Sequence, residues 1–119
     1  MDGLIENIKI AGIASCVPRH TEDNMDYGNV LGEKRVKKQV KLTGIRKRHT
    51  SRTEQRASDL AICAANDLLT KLDWKKDEIG ELIYMTQSPD YLIPSTAIAL
   101  TERMGLPKEV IAFDVNLGC

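Results

Sequence analysis

Cys119, the last residue of the sequence, is the side chain best suited to covalent chemistry. It follows Asn116, Leu117 and Gly118 after an apolar run, where a strand would turn into a helix. A thiol at such a turn faces the positive end of a helix dipole, which stabilises the thiolate. Gly118 would let the backbone bend and a substrate carbonyl approach the backbone N–H donors there. Taken alone, these residues also suit a buried apolar cysteine, so both readings stay open.

The other thiols and imidazoles are scattered along the chain. Cysteines occur at positions 16, 63 and 119, without a Cys-x-x-Cys pair, and His20 and His49 lie far apart in sequence. An odd number of widely spaced cysteines excludes a disulfide framework, and this spacing does not suggest a metal site. We therefore expect reduced thiols in a cytoplasmic protein, with no metal and no resident cofactor. Cys16 and Cys63 are expected to pack against neighbouring side chains.

Residues 34–52, which we call the basic segment, hold nine Lys or Arg residues and no acid. The whole chain has 17 basic and 17 acidic residues, so the remainder is anionic. Zero net charge argues against a general nucleic-acid binder. The basic segment could bind the phosphates of a ligand or an acidic protein, or it could be a solvated helix face followed by a structural loop.

The spacing of apolar residues predicts three strands and three helices. The strands are expected at about 5–15, 81–86 and 110–115, and the helices at about 33–42, 53–72 and 95–104, with residues 16–32 irregular. Strands that alternate with helices indicate an α/β fold with parallel crossovers. The acidic start and the lack of a long apolar run predict neither a signal peptide nor a membrane span. A strand that leads into Cys119 should feed a further helix, so we interpret the sequence as part of a larger fold.

Three stretches resemble the β-ketoacyl-acyl-carrier-protein synthase III family of the thiolase-like superfamily. Thr43–His49 reads Thr-Gly-Ile-Arg-Lys-Arg-His and is similar to a "TGIRERH" segment of that family. Tyr91–Ser95 resembles a loop that ends in aromatic-Pro-Ser. Ala112–Cys119 resembles the family's "AFDV" run, followed by three small residues and the nucleophilic cysteine. The order and the separations of the three stretches match as well.

The resemblance implies a thiolase-like α/β fold built from two duplicated halves. Residues 1–119 would be the amino-terminal part of the first half and supply three strands of a five-stranded mixed sheet with covering helices. The strand at 110–115 would be a sheet edge that pairs across the two-fold axis of a homodimer. The implied reaction moves an acyl group from acyl-coenzyme A to a cysteine. It then condenses the acyl-enzyme with malonyl-acyl-carrier protein, at the start of fatty acid synthesis.

The resemblance makes Cys119 the expected nucleophile. The His and Asn that complete the family's site would lie beyond residue 119, so the 119-residue chain alone is expected not to turn over. His49 is a motif residue and not the catalytic imidazole. The resemblance also makes Asp114 structural, and Arg46 and Arg48 are expected to anchor their loop by hydrogen bonds.

The sequence departs from the family at three positions. Lys38 stands where the family has a Trp that stacks on the adenine of coenzyme A, and Leu42 stands where it has an Arg. Lys38 therefore marks the expected coenzyme A region, while delivery by a carrier protein remains an alternative. Ile93 replaces a Phe that reaches across the dimer to limit the acyl pocket, so a longer or branched acyl chain is expected to fit.

Two other functions stay open. One is a different acyl transferase of the thiolase superfamily, such as a polyketide starter synthase or a hydroxymethylglutaryl-coenzyme A synthase-like enzyme. The other is a non-catalytic module that binds anions through the basic segment, with binding that depends on salt and survives Cys119→Ala.

Overall fold

The structure is a computed structural model that describes residues 6–117. These residues form two compact units, which we name by content. The basic unit is Val17–Arg56, and the sheet unit comprises residues 6–16 together with 57–117. Within residues 6–117 no helix combines the length and the hydrophobicity needed to cross a bilayer.

The basic unit contains two short strands around two helices. Strand β1 is Thr21–Asp23, helix α1 is Gly28–Leu31, helix α2 is Glu33–Thr43 and strand β2 is Lys47–His49. A 3₁₀ turn at Asn24–Tyr27 connects β1 to α1. Strands β1 and β2 are antiparallel, with Glu22 opposite Arg48. Opposite charges therefore face each other across the pair, which favours this register.

Helix α2 confirms the helix expected at 33–42. It ends at Gly44, which has a φ of 72° and donates its N–H to the carbonyl of Val40 at 2.9 Å. A left-handed residue after the last turn favours glycine, because a side chain there would be strained. Val36 is the only buried residue of α2, and the lysines of the helix are exposed. The helix is thus held by one apolar side and leaves a cationic face in water.

The expectation that residues 16–32 are irregular is wrong in part. This stretch contains β1 and α1, and β1 has the polar sequence Thr-Glu-Asp. No apolar alternation marks such a strand, because side-chain hydrogen bonds and ion pairs hold it instead of a hydrophobic face.

The sheet unit contains two helices that contact each other and a pair of parallel strands. Helix α3 is Ala57–Leu72, strand β3 is Glu81–Met85, helix α4 is Thr96–Met104 and strand β4 is Ile111–Val115. A 3₁₀ turn at Lys76–Glu78 precedes β3. Strands β3 and β4 pair in parallel from Glu81↔Ile111 to Met85↔Val115. The parallel crossover expected from the sequence is therefore present.

Helix α4 supplies most of the buried apolar side chains of the sheet unit. Ala97, Leu100 and Met104 are nearly inaccessible to solvent. Ser95 caps the helix, as the sequence predicts, by accepting the N–H of Ile98 at 3.5 Å. Gly105 ends it with a φ of 65°. The cap, the apolar stripe and the terminal glycine together explain why the predicted bounds nearly match.

Helix α3 begins four residues later than the predicted residue 53. Residues 53 and 54 form a turn, closed by the N–H of Gln55 on the carbonyl of Arg52. Ser51 and Thr53 therefore do not cap the helix. These polar residues are favourable both in a turn and in the first turn of a helix, so their composition alone does not show where the helix begins.

The strand predicted at 5–15 is absent from the described part of that range, residues 6–15. These residues pair with no strand among residues 6–117, and Ile8, Ile10 and Ile13 have exposed fractions of 75 to 86%. Instead, Gly12 lies against α3, where an added Cβ atom would come within 2.8 Å of Leu68 Cδ1. An alternating pattern gives a strand only where a neighbouring strand completes the hydrogen bonds. In the structure, the element next to this segment is helix α3 and not a strand.

Candidate active site

The carboxyl ends of β3 and β4 lie side by side at one edge of the sheet. Met85 is the register partner of Val115, and the N–H of Thr86 donates to the Val115 carbonyl at 3.1 Å. In parallel α/β sheets this edge is where ligands bind, because the loops that leave the strands gather there. Two segments leave this edge. One is the loop 86–95, and the other leads through Asn116 to the end of the sequence.

Cys119 lies outside the described residues. Strand β4 ends four positions before it, and the intervening Leu117 is 80% exposed. In sequence, Cys119 is therefore only four residues from the carboxyl end of β4. The role of Cys119 as a nucleophile remains a prediction.

Asp114 connects β4 to the start of α4. Its two carboxylate oxygens accept the backbone N–H groups of Thr96 and Ala97, each at 2.7 Å. Both donors belong to the first turn of the helix, where N–H groups have no partner within the helix and the dipole favours an anion. This contact is structural, as the sequence predicts, because both oxygens already hold backbone donors.

Tyr84 faces Asp114 across the strand pair. Burial raises the pKa of the Tyr84 hydroxyl above its ordinary value of 10, opposed by a hydrogen bond with Thr86. The phenol therefore stays protonated at neutral pH and serves as a neutral polar group beside the carboxylate.

The loop 86–95 is anchored at its base and exposed at its tip. Its tip holds Tyr91, Leu92 and Ile93, with Leu92 and Ile93 about nine-tenths exposed. Ile93 therefore packs into neither helix of the sheet unit. Its expected part in an acyl pocket across a dimer remains a prediction, and its projection from the unit leaves its side chain open to contact.

Lys38 and the other cations of the basic segment lie in the basic unit. Lys38 is exposed on α2. The same unit contains a cleft of about 690 Å³, whose lining includes Tyr27, Leu31, Val36 and Arg35. Lys38 does not line this cleft, and the aromatic ring found there is that of Tyr27. The expectation that Lys38 marks a coenzyme A region remains a prediction.

Arg46 and Arg48 anchor their loop, as expected. The Arg46 Nε donates to Asp23 Oδ2 at 3.1 Å. Arg48 donates to Glu22 at 3.1 Å and to the Tyr27 hydroxyl at 2.9 Å. These two cations of the basic segment are therefore engaged within the unit.

Glu22 accepts hydrogen bonds from three residues of this polar cluster. Hydrogen bonds from the Tyr27 hydroxyl, at 2.7 Å, and from Arg48 and Thr50 lower the pKa of its carboxyl. The hydrogen bond with Glu22 raises the pKa of the Arg48 guanidinium. Neither Glu22 nor Tyr27 is predicted from the sequence, although an acid opposite a motif arginine is a usable signal once the strand pairing is known.

His49 and the two described thiols take no part in a candidate site. His49 Nδ1 lies 2.6 Å from the Pro18 carbonyl and fastens the motif to the start of the unit. Cys16 is partly buried and Cys63 is exposed, so Cys16 is the better packed of the two thiols. A hydrogen bond with Cys63 and, secondarily, burial raise the pKa of the Cys16 thiol. Among residues 6–117 no cluster of His, Cys, Asp and Glu could hold a metal ion.

Comparison with known proteins identifies the relatives of the chain. A putative 3-oxoacyl-acyl-carrier-protein synthase 3 of Campylobacter jejuni is 34% identical over 117 residues, which is 96% of this chain and 33% of that protein. A β-ketoacyl-acyl-carrier-protein synthase III of Clostridium novyi is 33% identical over 95% of this chain and 34% of its own length. The chain is a homologue of the synthases III. It spans about a third of the length of these curated synthase III relatives, and a scan of protein-family models finds no match.

Solved structures show the same relationship. The 3-oxoacyl-acyl-carrier-protein synthase of Burkholderia xenovorans superposes with a TM-score of 0.84 at 35% identity, over 90% of this chain and 32% of its own. OleA of Xanthomonas campestris, solved with cerulenin bound, gives a TM-score of 0.78 at 29% identity, over 89% of this chain and 33% of its own. The thiolase-like fold expected from the sequence is thereby confirmed.

Proposed function

We propose that the complete protein is a condensing acyltransferase that forms a carbon–carbon bond through an acyl-enzyme on Cys119. The support is the homology to synthases III over nearly the whole chain. The observation that carries the proposal is the parallel pairing of β3 and β4. Because of this pairing, β4 ends at the carboxyl edge of the sheet, where α/β proteins bind ligands, only four positions before Cys119.

The chemistry proceeds in two transfers. The Cys119 thiolate attacks the thioester carbonyl of acyl-coenzyme A, the carbon–sulfur bond to coenzyme A breaks, and coenzyme A leaves as its thiolate. Malonyl-acyl-carrier protein then loses carbon dioxide, and the resulting carbanion attacks the acyl-cysteine. The carbon–sulfur bond to Cys119 breaks, the thiolate returns, and the β-ketoacyl product stays on the carrier protein. Exchange between thioesters is nearly balanced in energy, so the covalent intermediate divides one difficult step into two easier ones.

Within this proposal, Lys38 and Ile93 have separate roles. Lys38 is exposed on α2 and attracts the phosphates of the acyl donor, in place of a stacking ring. Ile93 projects from the loop 86–95 and bounds the acyl chain in a homodimer joined along β4. Its smaller volume compared with a Phe leaves room for a longer or branched chain. A cytoplasmic location would bring both acyl-coenzyme A and the carrier protein to the enzyme.

A second condensing reaction is favoured by particular neighbours. OleA and AbyA1, described as a tetronic acid condensing enzyme, share 29% identity with the chain and have TM-scores of 0.78 and 0.76. A partner other than malonyl-acyl-carrier protein would then accept the acyl group. The first transfer to Cys119 is common to both candidates.

The test is intact-protein mass spectrometry of the full-length gene product after incubation with acetyl-coenzyme A and with octanoyl-coenzyme A. The full-length product is needed because the resemblance places the catalytic His and Asn beyond residue 119. We expect an adduct of the mass of the acyl group, located on Cys119 by peptide mapping. Cys119→Ser should lose the labile adduct, whereas Cys63→Ser, which removes an exposed thiol elsewhere, should keep it.

An unmodified Cys119, or an adduct that survives in Cys119→Ser, would refute the nucleophile. If the acyl-enzyme forms but malonyl-acyl-carrier protein does not discharge it, the second candidate replaces the first. Binding of polyanions that depends on salt and is unchanged in Cys119→Ala, without any adduct, would support the anion-binding module instead.

A further inference from the structure

The loop 86–95 combines a deeply anchored base with an exposed apolar tip. At its base, the Asp90 side chain is only 5% exposed. At its tip, three residues later, Ile93 is 90% exposed. A carboxylate is rarely buried to this extent unless it is paired and hydrogen-bonded, because leaving water costs it free energy. The contacts of Asp90 therefore show what the burial achieves.

Asp90 is tied to both helices of the sheet unit. Its Oδ2 accepts the hydroxyl of Ser58, at the start of α3, at 2.6 Å. Its backbone N–H donates to the Thr96 hydroxyl, in the first turn of α4, at 3.0 Å. Ser58 and Thr96 are both fully buried. The loop is thus pinned at one residue by contacts with two helices.

Arg103 of α4 supplies the opposing charge. Its guanidinium lies 3.9 Å from Asp90 Oδ2 and donates to the Ser58 hydroxyl at 3.1 Å. It also forms an ion pair with Asp59 of α3. Asp59 and Asp90 therefore share the same cation, but only Asp90 belongs to the loop.

We propose that Asp90 is a positioning residue, which fixes the loop 86–95 so that Ile93 bounds the acyl chain at a constant position in the pocket across the dimer. This inference rests on the proposed function. The physical reason is that a pocket wall selects between acyl chains of different length only if it is rigid. A flexible wall would move to admit the longer chain. Asp90 touches no reacting atom and acts through the loop.

The experiment compares Asp90→Asn and Asp90→Ala in the full-length protein. The amide oxygen of Asn can still accept the Ser58 hydroxyl, but it carries no charge toward Arg103. The readout is the ratio of kcat/KM for acetyl-coenzyme A to that for octanoyl-coenzyme A. We expect this ratio to change by about tenfold in Asp90→Ala and by less in Asp90→Asn, because selectivity between chains of different length is set by pocket contacts.

Asp59→Asn is the matched control. It removes an ion pair with the same arginine and keeps the hydrogen bonds of Asp90 with Ser58 and Thr96, so the selectivity ratio should stay at the value of the unmodified protein. Hydrogen–deuterium exchange provides a second measurement. The peptide that spans 88–95 should exchange faster in the Asp90 variants and not in Asp59→Asn. Asp90→Asn preserves the side-chain volume and keeps the test usable if Asp90→Ala does not fold.

Three outcomes would overturn the proposal. The selectivity ratio could stay constant in folded Asp90 variants, it could change equally in Asp59→Asn, or the exchange of 88–95 could be unaffected. Failure of the proposed function is distinguishable from these, since Cys119 in the unmodified protein would then take up no acyl group. In that case the selectivity role falls with it, and the exchange data still report whether Asp90 fixes the loop.

Discussion

Replacing Asp114 with Ala should destabilise the sheet unit far more than the loss of an ordinary helix cap. The substitution removes both acceptors from the N–H groups of Thr96 and Ala97, and these two residues are fully buried. A hydrogen bond to a charged group contributes about 1.5–3 kcal/mol, and a buried donor without a partner costs about 1–3 kcal/mol. Because both bonds share one carboxylate, they are not additive. We therefore expect a loss of about 3 kcal/mol in the free energy of unfolding.

The assay is urea unfolding followed by far-ultraviolet circular dichroism. With a slope of about 2 kcal/mol per molar urea, the midpoint should fall by about 1.5 M. Ser95→Ala is the matched control at the same helix terminus. It removes one neutral cap at 3.5 Å from the Ile98 nitrogen and should cost about 1 kcal/mol. Equal costs for the two variants, or a larger one for Ser95→Ala, would refute the assignment of Asp114 as the main anchor of α4.

Two further predictions concern the basic unit. The Tyr27 hydroxyl, with Arg48, holds the carboxyl pKa of Glu22 below its ordinary value of 4.5, so this contact stabilises the folded unit above that pH, and the stabilisation is lost as the pH falls through the folded pKa. Amide NMR spectra recorded from pH 6 downward should show the β1–β2 pairing weaken in acid. Glu22→Gln is the control, because it has no carboxyl at this position. If the pairing in the unmodified protein is as independent of pH as in Glu22→Gln, the prediction is wrong. Lys38→Ala should raise the KM for acyl-coenzyme A about threefold at low salt and little at high salt, as expected for one screened surface charge. Lys41→Ala, on the same helix, is the control. If both substitutions raise the KM equally, the effect comes from the overall electrostatic field of the basic segment and not from a binding site at Lys38.

The parts of the fold predicted from the sequence are those that local chemistry determines. Helix α4 has a capping serine, an apolar stripe and a terminal glycine, so its bounds could be predicted to within a residue. Strands β3 and β4 are short apolar runs between turn-forming residues, which is typical of buried strands. The segment 6–15 has the same appearance but lacks a strand partner in the structure, and a local pattern carries no information about partners.

The same limit applies to the candidate site. The resemblance pointed to Cys119, Ile93 and Lys38, because each lies within a recognisable motif or at a fixed distance from one. It did not reveal Asp90 or Glu22, since their importance depends on residues more than 25 positions away, such as Ser58 and Arg48. A single acid in a polar stretch resembles any surface residue until the fold brings its partners to it.

The exposed isoleucines of residues 8–13 have a practical consequence for anyone who handles this protein. A short β-branched run without proline is the type of sequence that stacks into cross-β fibrils when it is left uncovered. Lys9 is the one charge that interrupts the run and acts as a gatekeeper. Neutralising Lys9 should therefore shorten the time for which preparations of the 119-residue chain remain dispersed.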